Sequence, residues 1–450
     1  MLSMGWRGIH NPTGCRHIID HISELYFDWE GKTYIMPEGT VIYVVQRGDT
    51  VDSIAAAYGV DVENIIRDNQ ILYPYELALG QALFIDLGTR QPYRSLRVTG
   101  YAYPYIDRTV LADTLPYLSE LAIFSYGFTT EGELVYPTLP DDWMIALALE
   151  YGTAPILTLT PLDEQGRFSN YLIHNVVQNP ETVNRLIDNL LAVMSEKGYQ
   201  GLDIDFEYIL AEDRDAFTAF VRQTAERMRE NGYHTSVALA PKTSANQKGT
   251  LYEGKDYRAL GEAADHVLLM TYEWGYTYGP PMAVAPLHQV RRVVEYAVTE
   301  IPPEKIDLGI PNYGYDWPLP FVRGETAATS IGNVQAVRIA IEQDVPIQFD
   351  DTAQSPFFTY VQEMRTGDSA PGGGADGNGA AENGIVGNGG TAQGDIVNVE
   401  HEVWFEDVRS YQKKFDLIRE FGLGGCGYWQ IMRWFAANWK LLYKNFYIEK

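Results

Sequence analysis

Cysteine is nearly absent from this sequence of 450 residues, in which only Cys15 and Cys426 occur. Two thiols so far apart provide no disulfide framework, no CxxC redox pair and no zinc-binding spacing. The eight histidines also lack an HExxH or similar ligand spacing, so we interpret them as surface or packing residues. The sequence therefore predicts two free thiols, no metal site and no cofactor.

Positive charge is scarce as well. The 34 Lys and Arg residues face 60 Asp and Glu residues, which gives a formal net charge of −26. Nucleic acids and anionic membranes bind basic surfaces, so this balance excludes both as partners and favours a neutral substrate. Aromatic residues make up 13 % of the chain and include 31 Tyr and 9 Trp. Such side chains pack at wet surfaces and stack on sugars.

Long apolar runs are missing too. Segments such as 41–45 and 267–270 are far shorter than the roughly 18 residues that a membrane helix requires. The first twenty residues contain scattered charges and no apolar segment typical of a secretory signal. We expect a soluble protein without membrane insertion, which leaves the cell interior by a route that needs no visible Sec signal.

The first clear structural pattern follows an N-terminal extension of unknown role, residues 1–40. Residues 41–87 predict a strand, a helix capped by Thr50, a second helix after Asp61 and a strand ending at Ile85. The segments VVQRGDT, SIAAAYGV, NIIRDNQ and LGQALFI resemble the lysin motif (LysM), whose members bind N-acetylglucosamine-containing glycans such as peptidoglycan and chitin. The alternative is a small packing or oligomerisation unit. We expect its core to be separate from that of the remaining chain.

Residues 95–450 alternate β-like apolar runs with amphipathic helical patterns. The strand candidates are residues 95–103, 121–128, 155–162, 201–208, 235–242, 266–274, 306–315 and 424–431. Eight such units over this length predict a fold of the α/β class, a (β/α)8 TIM barrel, rather than an open sheet. A small α+β insertion, residues 318–410, is expected between strands seven and eight. Its residues 370–394 are rich in glycine and predict a disordered tip.

Three carboxylates alternate with apolar residues in the run GLDIDFEYI. In a strand this period of two places Asp203, Asp205 and Glu207 on one face. On a surface strand the acids would be a solvated face. Both faces of a barrel strand are covered, so mutual repulsion and lost hydration would raise at least one carboxyl pKa. A protonated acid beside an ionised one is the arrangement used in glycoside hydrolysis.

The same run resembles the DxxDxDxE signature of glycoside hydrolase family 18, although Gln200 stands where the signature has its first Asp. The strings MTYEWGYTYGPPMAVAPL, LGIPNYGYDW and HEVWFEDVRSYQKKF, together with the LysM, resemble the spore cortex-lytic N-acetylglucosaminidases and spore-germination proteins within that family. The resemblance implies that the substrate is peptidoglycan or another N-acetylglucosamine-containing glycan. It also implies a location in the spore coat, the cortex or the cell wall. We expect a monomer.

The resemblance also implies a role for each matching residue. Glu207 would be the general acid and base, Asp205 would hold the substrate acetamido N–H, and Asp203 would share a proton with Asp205. Tyr272 would steady the acetamido carbonyl, which acts as the nucleophile in a retaining, substrate-assisted mechanism. The residues expected to bind the substrate are Trp429, Glu273, Trp274, Asn312 and Tyr313.

Two alternatives remain open from the sequence. One is a non-catalytic, glycan-binding coat protein that uses the LysM and an idle cleft. The presence of Glu207 argues against it, because family members that lack this acid tend to be lectins. The other is a chitinase-like enzyme that acts on chitooligosaccharides.

Overall fold

The computed structural model describes residues 26–29, 32–35, 37–162, 166–365 and 396–450. The predicted glycine-rich tip, residues 370–394, lies outside the described residues, as does Cys15. Cys426 is a buried free thiol. Within the described part of the chain, no helix combines the length and apolar character needed to cross a membrane.

The described chain begins with a short antiparallel hairpin and continues into a βααβ unit. The hairpin is β1 (Tyr26–Trp29) and β2 (Lys32–Ile35), and the unit is β3 (Thr40–Val44), α1 (Val51–Tyr58), α2 (Val62–Asp68) and β4 (Ala82–Asp86). Thr50 and Asp61 cap the two helices by accepting backbone N–H groups, as the sequence predicts. Strands β3 and β4 pair antiparallel.

Strand β4 is buried on both faces. Leu83 and Ile85 belong to the small core of the βααβ unit, whereas Phe84 is fully buried in the main core of the barrel. Backbone contacts join the two parts as well, since Ile347 N–H donates to Leu79 O at 2.8 Å. Alternate side chains of β4 point to opposite sides, so one face of the strand packs in the small core and the other in the main core. The expectation that the βααβ unit has a separate core is therefore wrong for the face that carries Phe84.

Eight parallel strands close into a barrel. They are β5 (Arg94–Ala102), β6 (Glu120–Phe128), β8 (Ala154–Leu159), β9 (Gly201–Ile204), β10 (His234–Leu239), β11 (His266–Leu269), β12 (Ile306–Pro311) and β18 (Gly425–Trp429). Each pairs with the next in this order, and β18 pairs with β5. The predicted barrel is confirmed, although several strands are shorter than the sequence predicts.

Helices cover the outside of the barrel. They are α3 (Arg108–Thr114), α4 (Asp142–Glu150), α5 (Asn170–Val177), α6 (Pro180–Lys197), α7 (Arg214–Glu230), α8 (Tyr257–Ala263), α9 (Leu287–Glu300), α11 (Val408–Phe421) and α12 (Ala436–Asn445), with 3-10 turns at Leu115–Tyr117, Ala211–Asp213 and Pro303–Lys305. Two short strands, β7 (Leu134–Val135) and β19 (Phe446–Ile448), extend the sheet. Helix α6 illustrates how the sequence sets the ends of a helix: Asn179 caps its start, and Gly198, at φ 87°, ends it.

An α+β insertion separates β12 from β18. It contains β13 (Gly314–Leu319), β14 (Thr329–Ile331), α10 (Asn333–Glu342), β15 (Gln348–Asp350), β16 (Ser355–Arg365) and β17 (Ile396–Trp404), in an antiparallel sheet of order β14-β13-β17-β16-β15. The single strand predicted over 306–315 is thus two strands. Asn312 and Tyr313 join them at the carboxyl-terminal end of the barrel.

Candidate active site

The acidic side chains of the segment that begins with β9 point into the barrel because the apolar side chains between them pack on its outside. Phe206 is fully buried, with its ring stacked on Phe128 at 5.3 Å and on Phe220 at 5.6 Å between centroids. The regular strand ends at Ile204, yet the Asp205 N–H still donates to Leu159 O at 2.9 Å. The alternation therefore continues past the strand end.

Asp203 lies deepest of the three acids. It is 1 % exposed and accepts hydrogen bonds from Tyr101 Oη at 3.1 Å and from Ser236 Oγ at 2.7 Å. Burial raises the pKa of Asp203, and these two hydrogen bonds offset only part of that effect. Sequence reasoning missed both partners, because Tyr101 and Ser236 are single inward-facing residues on their own strands and carry no pattern.

Asp205 and Glu207 form an electrostatically coupled pair at the mouth of the barrel. Burial raises the pKa of Asp205 well above its ordinary value, and the nearby charges of Glu207 and Asp203 raise it further. Burial also raises the pKa of Glu207. Interacting carboxyls of this kind titrate as a group. The raised pKa values keep a proton on such a pair to higher pH than on two isolated carboxyls.

Lys255 supplies the positive charge that sequence reasoning missed. It lies in the loop between β10 and α8, is 1 % exposed, and donates from Nζ to Ala238 O at 3.2 Å. Burial lowers the pKa of Lys255 to about 8, while Asp205 and Glu207 oppose that shift. The ammonium group in turn lowers the pKa of both acids. No periodic pattern in the loop marks this lysine.

Tyr272 follows β11 and faces the same acids. Burial raises the pKa of its hydroxyl well above the ordinary value, and Asp205 and Glu207 add to the effect. The neighbouring strand accommodates it with a glycine: a Cβ atom at Gly309 would lie 2.2 Å from Leu269 O and 2.9 Å from the Tyr272 ring. A side chain at 309 would therefore displace Tyr272.

Trp429 ends β18 in an aromatic wall. Its ring centroid lies 5.1 Å from that of Phe124, 5.9 Å from that of Tyr101 and 6.1 Å from that of Tyr103. The side chain is half-buried. The partly exposed ring lies beside Tyr101, the partner of Asp203.

The other predicted binding residues differ in their contacts. Glu273 is exposed and accepts hydrogen bonds from Tyr313 Oη and, at 3.1 Å, from Tyr315 Oη. Asn312 is buried, and its amide donates to Gln430 O at 3.3 Å and to Arg433 O at 2.8 Å.

The two hydrogen bonds of the Asn312 amide hold the loop that follows Trp429. Trp274 packs against the main core, and its backbone N–H donates to Val284 O. The structure therefore gathers Asp203, Asp205, Glu207, Tyr272 and Trp429 at one end of the barrel, with Glu273 and Tyr313 on the insertion side. Direct contact of a substrate with the predicted binding residues stays a prediction for all five: Trp429, Glu273, Trp274, Asn312 and Tyr313.

The comparisons with known proteins agree with this geometry. A model described as glycosyl hydrolases family 18 matches residues 166–433, and a LysM domain model matches residues 43–86. A cortical fragment-lytic enzyme of Bacillus subtilis (strain 168) is 37 % identical over 91 % of this chain and 99 % of its own length. A putative sporulation-specific glycosylase, YdhD, of the same organism is 33 % identical over 93 % of this chain and 90 % of its own length.

Solved structures show the same fold. The crystal structure of the Bacillus cereus spore cortex-lytic enzyme SleL has a TM-score of 0.79 at 33 % identity, over 92 % of this chain and 99 % of that chain. A chitinase from Chromobacterium violaceum, with a TM-score of 0.65 at 23 % identity, shares the fold. The family match covers more than half of the chain and includes Asp203, Asp205 and Glu207. The chain therefore belongs to glycosyl hydrolase family 18 and is a glycosidase with an N-terminal LysM domain.

Proposed function

We propose that this glycosidase cleaves N-acetylglucosaminyl bonds in spore cortex peptidoglycan or its fragments, with retention of configuration. The names of the relatives support the substrate: one is a cortical fragment-lytic enzyme and another a spore cortex-lytic enzyme. The net charge of −26 is compatible with a glycan substrate and unfavourable for nucleic acid.

The observation that most favours this function is the state of Asp205. Its Oδ1 is buried and has no hydrogen-bond partner among the described residues. A buried acceptor without a partner costs free energy, so it is a site for a donor that arrives with the ligand. The N–H of a substrate acetamido group is such a donor, and peptidoglycan carries it on every N-acetylated sugar.

The reaction then proceeds in two steps. Glu207 donates its proton to the glycosidic oxygen while the acetamido carbonyl oxygen attacks the anomeric carbon, so that the bond to the leaving sugar breaks. Asp205 accepts the acetamido N–H and Tyr272 donates to the carbonyl oxygen, which aligns the nucleophile. Glu207, now ionised, takes a proton from water, and that water opens the cyclic oxazolinium intermediate. Two inversions at one carbon give net retention.

Exposed aromatic side chains extend the site for a polymeric substrate. Tyr105 stacks on Tyr103 at 5.2 Å, and Tyr208, beside Glu207, is 42 % exposed. On the LysM, Tyr73 and Tyr75 form an exposed edge-to-face pair at 5.7 Å. Such rings stack on sugars. We propose that the LysM holds the glycan in the cortex or cell wall, and that the enzyme acts there as a monomer.

Mass spectrometry of products from purified cortex fragments tests this function. The expected products have N-acetylglucosamine at the new reducing end, and proton NMR of the same reaction should show the β-anomer first. Glu207→Gln should form product about 10² to 10⁴-fold more slowly, whereas Glu212→Gln, a matched change at an exposed carboxyl in the following turn, should behave as wild type. Products ending in N-acetylmuramic acid, or cleavage of chitooligosaccharides alone, would contradict the proposed substrate.

A further inference from the structure

A second cluster of ionisable side chains lies at the amino-terminal ends of the barrel strands. Glu120, His234 and His266 are the first residues of three barrel strands, β6, β10 and β11. Their ligand-type atoms all lie within 4.8 Å of one another. His234 Nε2 is 3.1 Å from Glu120 Oε1, and His266 Nε2 is 3.6 Å from the same atom.

The Nε2 atom of His266 has an unusual environment. The residue is 5 % exposed, yet this nitrogen makes no hydrogen bond within the described chain. Its other ring nitrogen, Nδ1, lies 2.7 Å from Asp307 Oδ2. When Nδ1–H donates to this carboxylate, Nε2 presents its lone pair to the centre of the cluster. An imidazole oriented by a carboxylate is the usual outer-shell arrangement of a metal-binding histidine.

The remaining side chains of the cluster are also held in place. Arg97 donates to both carboxylate oxygens of Asp307, at 2.6 and 3.1 Å. Thr99 Oγ1 donates to Glu120 Oε2 at 2.7 Å, which leaves Oε1 directed at the histidines. Both Glu120 and His266 are thus oriented by a second residue.

Two glycines leave the space that the cluster occupies. A Cβ atom at Gly201 would lie 2.7 Å from His234 Nε2, and one at Gly425 would lie 2.2 Å from Asp307 Oδ1. Each glycine sits on a strand that pairs with the strand of the polar residue. Any larger residue would push the imidazole or the carboxylate out of position.

We propose that Glu120, His234 and His266 bind one divalent transition-metal ion, with zinc as the best match, at the amino-terminal end of the barrel. Two imidazole nitrogens and one carboxylate oxygen are a common zinc donor set. Atoms bound at about 2.0 to 2.1 Å in tetrahedral geometry are about 3.4 Å apart, close to the observed 3.1 and 3.6 Å. The ion would link three strands at their amino-terminal ends, so its role is stability.

The competing state is a proton in place of the metal. A protonated His266 would pair with Asp307 and Glu120, and Arg97 would complete a neutral network. The two states differ in a measurable way, because only the metal-binding cluster needs His234 as a ligand. The side chain of His234 is 32 % exposed although its Nε2 is buried, and its replacement leaves the contacts of Asp307 with His266 and Arg97 in place.

Zinc binding by the full chain tests the proposal. Protein stripped with EDTA and titrated with zinc chloride should bind one equivalent and gain several degrees in Tm. His234→Ala should weaken zinc affinity more than the roughly 10- to 100-fold typical of losing an outer-shell residue. His288→Ala, at an exposed histidine elsewhere, should bind like wild type.

Cobalt provides a second readout that is independent of stability. The cobalt-loaded wild type should show the visible absorption of tetrahedral coordination, which His234→Ala should lose while its far-ultraviolet dichroism stays native. Failure of the wild type to retain zinc after desalting would overturn the proposal. Equal retention by His234→Ala would overturn it too, and would assign the cluster to the protonated network.

Discussion

Carboxyl groups are buried at both ends of this barrel, but their pKa values shift in opposite directions at the two ends. At the carboxyl-terminal end, burial raises the pKa of Asp203, Asp205 and Glu207. At the amino-terminal end, burial works in the same direction, yet Arg97 and His266 outweigh it and lower the pKa of Asp307. The residue types and the depth are similar, so the partners make the difference.

The direction of the pKa shift distinguishes the carboxyl groups that serve catalysis from those that stabilise the fold. A buried carboxylate with a matched cation and hydrogen bonds is neutralised in place, and removal of one partner is costly. A buried carboxyl without such partners is destabilising, and it persists where the chemistry requires a retained proton. Lys255, the cation beside the catalytic acids, compensates only in part, since both Asp205 and Glu207 keep a raised pKa.

The largest expected effect is the loss of the proton donor. Glu207→Gln should lower kcat by about 10² to 10⁴-fold, because general acid–base catalysis typically supplies that much. Binding of cortex glycan should persist, since the amide keeps the shape of the side chain. Initial rates and a pull-down with insoluble peptidoglycan measure the two quantities. A variant that keeps a few per cent of wild-type kcat would place the acid elsewhere.

At the other end, Asp307→Asn should act on stability. It removes the partner of Arg97 and His266 in a buried network, which typically costs about 3 to 5 kcal/mol. Denaturant unfolding measures the loss, and kcat of the folded fraction should be unchanged. The matched control is Asp188→Asn, whose surface pair with Arg227 should be worth at most about 1 kcal/mol. Equal losses in both variants would contradict the contrast between the two ends.

Trp429→Ala should reduce turnover more than it reduces stability. The ring is half-buried in the aromatic wall, so the stability loss should be below the roughly 3 to 5 kcal/mol of a core aromatic. The sugar next to the scissile bond would lose its stacking surface and its alignment. Unfolding and turnover are measured together, with Trp143→Ala on helix α4 as the control. Loss of activity that only follows loss of fold would return Trp429 to a packing role.

A smaller effect is expected at Lys255. Its ammonium group favours the charged forms of Asp205 and Glu207, so Lys255→Met should raise the pKa of Glu207 further. The acid then stays protonated to higher pH, and the alkaline limb of the kcat/KM profile should move up by about one pH unit. Lys248→Met, at an exposed lysine of the same loop, should leave the profile in place. A shift to lower pH in Lys255→Met would contradict the assigned interaction.

The sequence predicts the acids of β9 because their pattern is local. Alternation within one strand is enough to place Asp203, Asp205 and Glu207 on one face, and the family signature assigns their roles. Lys255 has no such pattern, since its position depends on how the loop after β10 folds over the barrel.

The cluster of Glu120, His234 and His266 could not be predicted from the sequence for a related reason. Glu120 and His266 come together only because β6, β10 and β11 are strands of one closed barrel.

The contact between the LysM and the barrel could have been predicted from the segment ALFID. Its adjacent apolar residues Leu83, Phe84 and Ile85 indicate burial on both faces, which an isolated two-stranded unit cannot provide.

The most direct test of the contrast is the pH dependence of unfolding in two matched variants, Asp205→Asn and Asp307→Asn. A carboxyl whose pKa is raised in the folded state lowers stability as pH rises above its ordinary value near about 4, and a tenfold change in acidity corresponds to about 1.4 kcal/mol. Asp205→Asn should therefore be more stable than wild type at pH 7, with the gain vanishing towards pH 3. Asp307, with a lowered pKa, contributes stability that is lost only as pH falls through that value, so Asp307→Asn should be less stable at pH 7. Changes in the free energy of unfolding that have the same sign in both variants at pH 7 would contradict the account.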